Sequence, residues 1–273
     1  MRLADKIAIV VGAGQGPGTG MGNGRATVIR FAQEGATVLA VDRDLASAQE
    51  TCAMAGNDAR GRKDAHGKCE AFAADVTREQ SMQAMIAHAQ KTYGRIDVLH
   101  YNVGVSLAGG DASPTEITEE AFDRVLTVNL RGMMMACKHA LPVMRAQKSG
   151  VILGISSVAA YENYPYTAYK ASKAAMVTYC QQLAIQNADY GIRVNVILPG
   201  LMDTPMAVDT RARHSGKSRA EVAAMRDARV PLRKKMGTPW DVANAALFLA
   251  SDEANFISGV ALPVDGAALV KIG

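Results

Sequence analysis

Short apolar runs, many of them β-branched, alternate along the chain with longer stretches in which apolar positions recur at helical spacing. The runs are apolar at consecutive positions, which is typical of strands buried on both faces. The expected strands are 7–11, 37–41, 71–74, 96–101, 150–156, 193–198 and 260–264. The expected helices are 25–34, 44–55, 78–93, 118–146, 167–189 and 239–250. This alternation predicts an α/β fold with a parallel sheet covered by helices on both sides.

Two segments do not follow the alternation. Residues 56–68 are polar and glycine-rich, so we expect an exposed loop there. Residues 201–236 fit neither a strand nor a regular helix, and we expect them to form a lid over a ligand. There is no internal repeat and no Pro/Ser-rich linker, so residues 1–273 are predicted to form a single domain.

The first strand leads into a segment with glycine at every second position from Gly12 to Gly24. A G-x-x-x-G-x-G pattern that starts at Gly12 can be read in two ways. Its second and third glycines are either Gly16 and Gly18, or Gly22 and Gly24 with extra residues after Gly12. Each glycine inside a helix costs roughly 1 kcal/mol relative to alanine, so a helix is not expected to begin at Gly18. We therefore predict that the helix begins at Gly24 or within one residue of it.

A glycine-rich turn before a helix directs free N–H groups and the positive end of the helix at an anion such as a phosphate. Asp42 ends the second strand and comes 18 residues after Gly24, near the roughly 20 that are usual in dinucleotide-binding folds. A carboxylate there would accept hydrogen bonds from a ribose diol. A methyltransferase and a surface loop without a ligand are the alternatives to a dinucleotide site.

The composition and the apolar runs bear on the partners and the location of the protein. Of the residues, 49% are hydrophobic and the formal net charge is +4, without a basic stripe interleaved with aromatic residues, so nucleic acid is not expected as a partner. No uncharged apolar run approaches the roughly 18 residues of a membrane-spanning helix, and the N-terminus lacks a signal sequence. The four cysteines form no C-x-x-C pair and no metal is predicted, so we expect reduced thiols and a cytoplasmic location.

Several further motifs occur in a fixed order along nearly the whole chain. They are the glycine turn, Asp75-Val76, Asn102-Val103-Gly104, Val128-Asn129, Ile155-Ser156-Ser157, Tyr169-Lys170-Ala171-Ser172-Lys173, Arg193-Val194-Asn195, Pro199-Gly200 with Thr204, and Val264-Asp265-Gly266. In these motifs the chain resembles the short-chain dehydrogenase/reductase family. The resemblance implies a Rossmann fold with a doubly wound seven-stranded parallel sheet. It also implies a homotetramer or homodimer that transfers hydride between a nicotinamide and a secondary alcohol or ketone.

The resemblance also assigns site residues. The implied catalytic residues are Asn129, Ser157, Tyr169 and Lys173. The implied cofactor-binding residues are Gly12, Gly14, Gly22, Asn23, Gly24, Asp42, Asp75, Val76, Asn102, Gly104, Tyr169, Lys173, Pro199, Gly200 and Thr204. Asn129 is implied to hold a water that relays protons from Lys173, while Pro199, Gly200 and Thr204 are implied to border the nicotinamide.

Tyr169 and Lys173 are four residues apart, so they share one face of a helix. Ketone reduction needs an acid at the carbonyl oxygen, and a nearby ammonium group favours the phenolate form of a tyrosine. Tyr166 and Lys170 have the same spacing, but the family's Y-x-A-S-K form fits Tyr169, so Tyr166 is interpreted as pocket wall or packing. For the serine, the loop length favours Ser156 and the end of the strand favours Ser157, which we choose.

The chain departs from the family's usual pattern in several places. The glycine turn has about six extra residues, and Gln15–Gly20 is expected either to form a lip over the pyrophosphate or to be a surface turn that touches nothing. Val11, Tyr101, Val103 and Ala160 replace residues that are usual in the family.

Asp42 favours NAD over NADP, although Arg43 offers a partner for a 2′-phosphate. The lid is rich in Arg and Lys, which indicates either an acidic substrate or a solvated face, and Tyr161, Tyr164 and Tyr166 are expected to line the pocket. A non-catalytic sensor that binds NAD(P)(H) on the same fold is the alternative function.

Overall fold

The computed structural model describes residues 1–59 and 68–271. The strands are β1 Ile7–Val11, β2 Thr37–Asp42, β3 Cys69–Ala73, β4 Val98–Tyr101, β5 Gly150–Ile155, β6 Ile192–Pro199 and β7 Ala261–Val264. The helices are α1 Asn23–Gln33, α2 Leu45–Ala59, α3 Glu79–Tyr93, α4 Glu119–Leu126, α5 Gly132–Gln147, α6 Thr167–Gln186, α7 Thr210–Ser215, α8 Arg219–Asp227 and α9 Pro239–Ala250. The predicted elements are therefore present, with ends shifted by a few residues.

All seven strands are parallel, in the order β3-β2-β1-β4-β5-β6-β7. The predicted doubly wound sheet is confirmed. The strand order reverses between β1 and β4, where connections leave in opposite directions and open a crevice at the carboxyl ends of the strands. Ligands of open α/β sheets bind in this crevice.

Each strand contributes to two hydrophobic layers, as its uninterrupted apolar run predicts. In β1, Ile9 and Val11 pack with α3, α5 and α6 on one face, whereas Ala8 and Val10 pack with α1 and α9 on the other. The lid segment has a small core of its own, formed by Val208, Val222, Val230 and Met236. The lid is therefore built on packed helices and is more regular than the sequence indicates.

The predicted helix at 118–146 is present as a continuous helical segment, in which a π-helical turn at Thr127–Arg131 separates α4 from α5. The phenol of Tyr101, buried at the end of β4, donates to the Val128 carbonyl at 2.6 Å. A side chain that donates to a helix carbonyl competes with the regular i→i−4 hydrogen bond, which accounts for the π-helical turn.

The expected loop at 56–68 is wrong at its start, because α2 continues through Ala59. Residues 60–67 of that expectation lie outside the described residues. The expectation of reduced thiols is also wrong for one pair. The packing of α2 against β3 brings the Cα atoms of Cys52 and Cys69 within 5.1 Å, and the two are joined in a disulfide. Cys137 and Cys180 are free and buried.

His100 of β4 is fully buried, packs edge-on against Phe31, and neither ring nitrogen has a hydrogen-bond partner. Burial lowers the pKa of His100 to about 3 from its usual 6.5. Below pH 6.5 His100 is therefore protonated in the unfolded chain but stays neutral in the folded protein. Protonation stabilises the unfolded chain, so the free energy of unfolding decreases as the pH falls from about 6.5 towards 3. Between pH 7 and pH 5 we expect His100 to reduce the unfolding free energy by about 1–2 kcal/mol.

Urea unfolding of the wild type and a His100→Leu variant at pH 7, 6 and 5 measures this loss. The variant should lose less stability over the range, because leucine does not titrate and leaves no unpaired polar atom. Equal losses in both proteins would show that His100 is protonated in the folded state as readily as in the unfolded chain.

Candidate active site

The glycine turn leaves β1 at Gly12, whose φ of +85° is a conformation that glycine tolerates and side chains avoid. The helix α1 begins at Asn23 with Gly22 as its N-cap, within one residue of Gly24. The prediction of the late helix start is confirmed, and Gly18 lies in a loop well before the helix. The first intrahelical bond runs from Ala26 N–H to the Gly22 carbonyl. The N–H groups of the first turn before it are oriented to meet an anion.

Gly24 packs against the turn itself. A Cβ atom at Gly24 would collide with the Gly12 carbonyl oxygen and would lie 2.6 Å from Nδ2 of Asn102. Asn102 follows β4 and donates to the same Gly12 carbonyl at 3.0 Å. Gly24 therefore permits close contact between the start of α1, the end of β1 and the residue after β4.

The segment Gln15–Gly20 is folded back on the turn by one side chain. Gln15 donates from Nε2 to the Gly20 carbonyl at 3.1 Å and accepts at Oε1 from the Gly22 N–H at 2.8 Å. Beyond it, Thr19 donates its N–H to Asp209 of the lid at 3.0 Å, and Arg213 donates to the Pro17 carbonyl at 3.3 Å. The alternative of a surface turn that touches nothing is therefore wrong.

Asp42 stands beside the turn at the end of β2. Its Oδ2 accepts from the Gly14 N–H at 2.9 Å, and its Oδ1 accepts from the Asp44 N–H at 3.1 Å. A Cβ atom at Gly14 would lie 2.8 Å from the Asp42 carboxyl carbon, so glycine allows this contact. The carboxylate is thus held against the glycine turn with an edge that faces the crevice.

Asp75 and Val76 follow β3 on the same side of the crevice. Burial opposes ionisation of Asp75, but hydrogen bonds from Thr77 and the charges of Arg78 and Arg43 together lower its pKa. Arg43 lines the same cavity, and its charge acts on the Asp75 carboxylate.

Tyr169 and Lys173 lie on adjacent turns of α6. The Lys173 Nζ is 5.6 Å from the centre of the Tyr169 ring and donates to the Ile155 carbonyl at 2.7 Å. The Ser157 side chain lines the same cavity and lies near enough to the Tyr169 hydroxyl to oppose the rise of its pKa. Ser156 is instead buried and donates to the Lys173 carbonyl at 2.7 Å. The two adjacent serines therefore have different surroundings, and Ser157 is the one beside the tyrosine.

Burial raises the pKa of Tyr169 to about 12, and the Tyr164 ring adds to this, while the Ser157 hydrogen bond and the charges of Arg211 and Arg226 act in the opposite direction. Burial also lowers the pKa of Lys173 to about 7. The Lys173 ammonium group is directed at the Ile155 carbonyl, and its effect on the Tyr169 pKa stays a prediction.

The second Y-x-x-x-K pair has a different arrangement. Lys170 donates to the carbonyls of Ala159 and Glu162 at 3.1 and 2.6 Å, and so fastens the turn after β5 to α6. Tyr166 lines the crevice and Tyr164 lies between it and Tyr169, with ring centres 5.5 and 5.3 Å away. Tyr161 is 58% exposed and lies outside the cavity, so the expectation that it lines the pocket is wrong.

Asn129 is fully buried in the π-helical turn. Its side chain donates to the Val105 carbonyl at 3.0 Å and to the Ser172 hydroxyl at 2.9 Å, and accepts from the Val105 N–H at 2.7 Å. A Cβ atom at Gly104 would approach both Lys173 Nζ and Asn129 Oδ1, at 3.1 and 3.7 Å. Asn129 therefore braces the loop after β4 against the helix that carries Lys173.

Sequence reasoning missed Asp111. This buried carboxylate accepts from the backbone N–H groups of Ala168 and Tyr169 at 3.0 and 2.8 Å. It caps the start of α6 from a loop 58 residues away in sequence, and it fixes the turn that carries Tyr169. No local sequence signal connects the two, because a cap is ordinarily sought among the residues just before the helix.

The predicted residues converge on one cavity of about 580 Å³ at the carboxyl edge of the sheet. The expected residues that line it are Gly12, Gly14, Gly22, Asn23, Gly24, Asp42, Asp75, Val76, Asn102, Gly104, Ser157, Tyr169, Lys173, Pro199, Gly200 and Thr204. Asn129 lies behind its wall. Among residues 1–59 and 68–271, no cluster of His, Cys, Asp and Glu could hold a metal ion, and no helix is long and apolar enough to cross a membrane.

Comparison with known proteins gives a consistent result. The sequence profile of a family described as enoyl-(acyl carrier protein) reductase matches residues 18–267. The chain is 34% identical to 3-oxoacyl-(acyl-carrier-protein) reductase FabG of Thermotoga maritima, over 99% of this chain and 100% of the relative. It is 36% identical to 2-(R)-hydroxypropyl-CoM dehydrogenase of Xanthobacter autotrophicus, over 96% of this chain and 98% of the relative.

Among solved structures, a short-chain dehydrogenase/reductase from Burkholderia xenovorans superposes with a TM-score of 0.90 at 39% identity, over 100% of this chain and 99% of the other. Levodione reductase superposes with a TM-score of 0.89 at 29% identity, over 99% of this chain and 100% of the other. The chain therefore belongs to the short-chain dehydrogenase/reductase family and is an oxidoreductase that uses a nicotinamide cofactor.

Proposed function

We propose that this protein is an NAD-dependent oxidoreductase that interconverts a secondary alcohol and a ketone through Ser157, Tyr169, Lys173 and Asn129. The observation that carries the proposal is that the side chains of Ser157, Tyr169 and Lys173 meet at the wall of one cavity, with the Lys173 Nζ 5.6 Å from the centre of the Tyr169 ring. Two hydroxyl groups at one point supply a proton donor and a second hydrogen bond to a substrate oxygen.

The roles follow from this geometry. In the reductive direction the Tyr169 hydroxyl gives its proton to the carbonyl oxygen, and in the oxidative direction its phenolate form takes the proton from the alcohol. Ser157 donates a hydrogen bond to the same oxygen and stabilises the charge that develops on it. Lys173, with a pKa near 7, exchanges protons readily at neutral pH. Asn129 positions the loop beside Lys173 and, as the family resemblance implies, is proposed to hold a water that completes the proton relay.

The residues present fit a nicotinamide dinucleotide. The glycine turn packs so closely that a Cβ atom at Gly12, Gly14 or Gly24 would collide with neighbouring protein atoms, and the start of α1 offers N–H groups for a pyrophosphate. The proposed binding residues are Gly12, Gly14, Gly22, Asn23, Gly24, Asp42, Asp75, Val76, Asn102, Gly104, Tyr169, Lys173, Pro199, Gly200 and Thr204. When bound, the nicotinamide would supply the hydride to the carbonyl carbon or accept it from the carbinol.

Asp42 is proposed to select NAD by accepting from the ribose diol and repelling a 2′-phosphate. We expect Asp42→Asn to improve the use of NADP⁺ by removing the charge. Asp42→Ala should in addition raise KM for NAD⁺ by about 10- to 100-fold, since hydrogen bonds to a charged group are lost. Steady-state kinetics with both cofactors measures the change. If the wild type already prefers NADP⁺, Arg43 governs the choice and the assignment of Asp42 is wrong.

A panel of secondary alcohols, polyols and hydroxy acids with NAD⁺, and of the matching ketones with NADH, tests the activity itself through the absorbance of NADH. Turnover of at least one pair in both directions supports the proposal. NADH binding without turnover of any member would favour a sensor of the cofactor. We also propose, from the family, a homotetramer or homodimer, which gel filtration can test. The cytoplasmic location stays a proposal that cell fractionation can test, and the Cys52–Cys69 disulfide removes part of its basis.

A further inference from the structure

Among the described residues, the carboxylates of the lid are all engaged in ion pairs or hydrogen bonds. Asp203 and Asp209 pair with Arg219 at 2.5 and 3.3 Å. Glu221 closes the capping box of α8 with Ser218. Asp227 pairs with Lys235 at 2.7 Å and accepts from the Met236 N–H. These acidic groups are therefore committed to holding the lid together.

The arginines of the lid that line the cavity have no carboxylate partners among the described residues. The arginines that line the cavity are Arg211, Arg213, Arg226 and Arg229. Within the described part of the chain, no carboxylate lies within 4.0 Å of any of these guanidinium groups. Glu162 also lines the cavity but forms no ion pair with them. The substrate side of the cavity is therefore positively charged.

Arg226 is the most informative of the four. It is only 8% exposed, and its Nε–H has the Met236 sulfur, at 3.4 Å, as its partner. Burial, together with the charges of Arg211 and Arg229, lowers the pKa of Arg226 to about 10, so the group remains charged at neutral pH. An unpaired buried charge is costly to a folded protein. Proteins ordinarily tolerate such a cost at a site where a bound ligand supplies the opposite charge.

These charges lie close to the proposed proton donor. Arg211 donates from Nη2 to the Tyr164 hydroxyl at 3.1 Å, and the Tyr164 ring is 5.3 Å from the Tyr169 ring. The charges of Arg211 and Arg226 both act on the Tyr169 hydroxyl. Arg213, in contrast, reaches the glycine-turn loop at the Pro17 carbonyl. Arg211 and Arg226 therefore lie on the Tyr169 side of the cavity, and Arg213 lies on the side of the glycine turn.

We infer that the substrate is a ketone or secondary alcohol that carries an anionic oxygen group, a carboxylate or sulfonate, held by Arg226 and Arg211. This inference rests on the proposed function and names its substrate class. Guanidinium groups suit this chemistry because their planar N–H groups match the oxygens of such anions in pairs.

The first arm of the test uses the wild-type protein and matched substrates. Oxo acids from 3-oxobutanoate to 6-oxoheptanoate, the corresponding oxo sulfonates, and the methyl ester of each oxo acid are assayed with NADH. We expect at least one acid or sulfonate to have kcat/KM tenfold or more above its neutral analogue. Equal or better turnover of the neutral ketones overturns the inference and leaves the proposed function intact.

The second arm uses variants that keep the lid in place. Arg226→Met should lower kcat/KM for the preferred anion about 10²-fold and leave the neutral analogue and the Kd of NADH within twofold. Arg226→Lys should recover part of the loss. Lys217→Met removes the same charge from an exposed lid position outside the cavity, and we expect no effect. A loss of NADH affinity in Arg226→Met, with circular dichroism unchanged, would assign the arginine to the cofactor and overturn the inference.

Calorimetric titration separates the two proposals. The oxo acids are titrated into wild type and Arg226→Met in the presence of NAD⁺. Binding to the wild type that weakens at least tenfold in the variant supports the anion site even if no compound is turned over, in which case the proposed reaction alone fails. Equal affinity in both proteins, or no binding, overturns the anion site whatever the activity.

Discussion

Tyr169→Phe is expected to reduce kcat by about 10²- to 10⁴-fold, which is the usual contribution of a positioned general acid or base. The phenylalanine ring keeps the packing against Tyr164 and loses only the hydroxyl that meets Ser157. NADH binding should therefore remain nearly intact, because the cofactor turn and Lys173 are unchanged. Steady-state kinetics and a fluorescence titration with NADH measure the two quantities.

Tyr166→Phe is the matched control, since it removes the same atom from the neighbouring residue of the nested motif. Tyr166 lines the cavity, but its partner at four residues, Lys170, is occupied with backbone carbonyls. We expect this variant to retain substantial activity. If Tyr166→Phe is the inactive protein and Tyr169→Phe the active one, the wrong tyrosine has been assigned.

Gly24→Val is expected to weaken NADH binding by 10²-fold or more. A Cβ atom at this position collides with the Gly12 carbonyl, so the start of α1 must move away from β1 and carry the first N–H groups with it. The displacement should also lower the melting temperature, because the contact between Asn102 and Gly12 is disturbed. Fluorescence titration and thermal unfolding report the two effects.

Gly56→Val provides the comparison, because a Cβ atom there meets nothing within 4 Å on the exposed side of α2. We expect this variant to bind NADH like the wild type. Normal NADH affinity in Gly24→Val would show that the start of α1 does not hold the pyrophosphate. That result would favour the alternative in which Gly18 approaches it.

The sheet and the late start of α1 were predictable because each depends on local chemistry. Uninterrupted apolar runs require a strand covered on both faces, and the conformational cost of glycine decides between Gly18 and Gly24. The site residues could be named because their motifs resemble those of the short-chain dehydrogenase/reductase family, and the topology gathers these motifs at the carboxyl ends of the strands.

The features that were not predicted depend on contacts between distant segments. The π-helical turn accompanies a hydrogen bond from Tyr101 to Val128, and the cap of α6 comes from Asp111. The disulfide depends on how α2 packs against β3. These contacts join residues that become neighbours only when the sheet forms. They therefore cannot be predicted from the spacing of residues along the chain.

The carboxylate of Asp209 joins two parts of the molecule that serve different ligands. It accepts from Thr19 in the loop of the glycine turn and pairs with Arg219 of the lid helix α8. A movement of the lid that displaces Asp209 must therefore either carry Thr19 with it or break that bond. The free energy of substrate binding under the lid and that of cofactor binding at the turn then both include the cost of displacing Asp209. Thermodynamic linkage makes the effect reciprocal: whatever factor the substrate imposes on the affinity for the cofactor, the cofactor imposes on the affinity for the substrate.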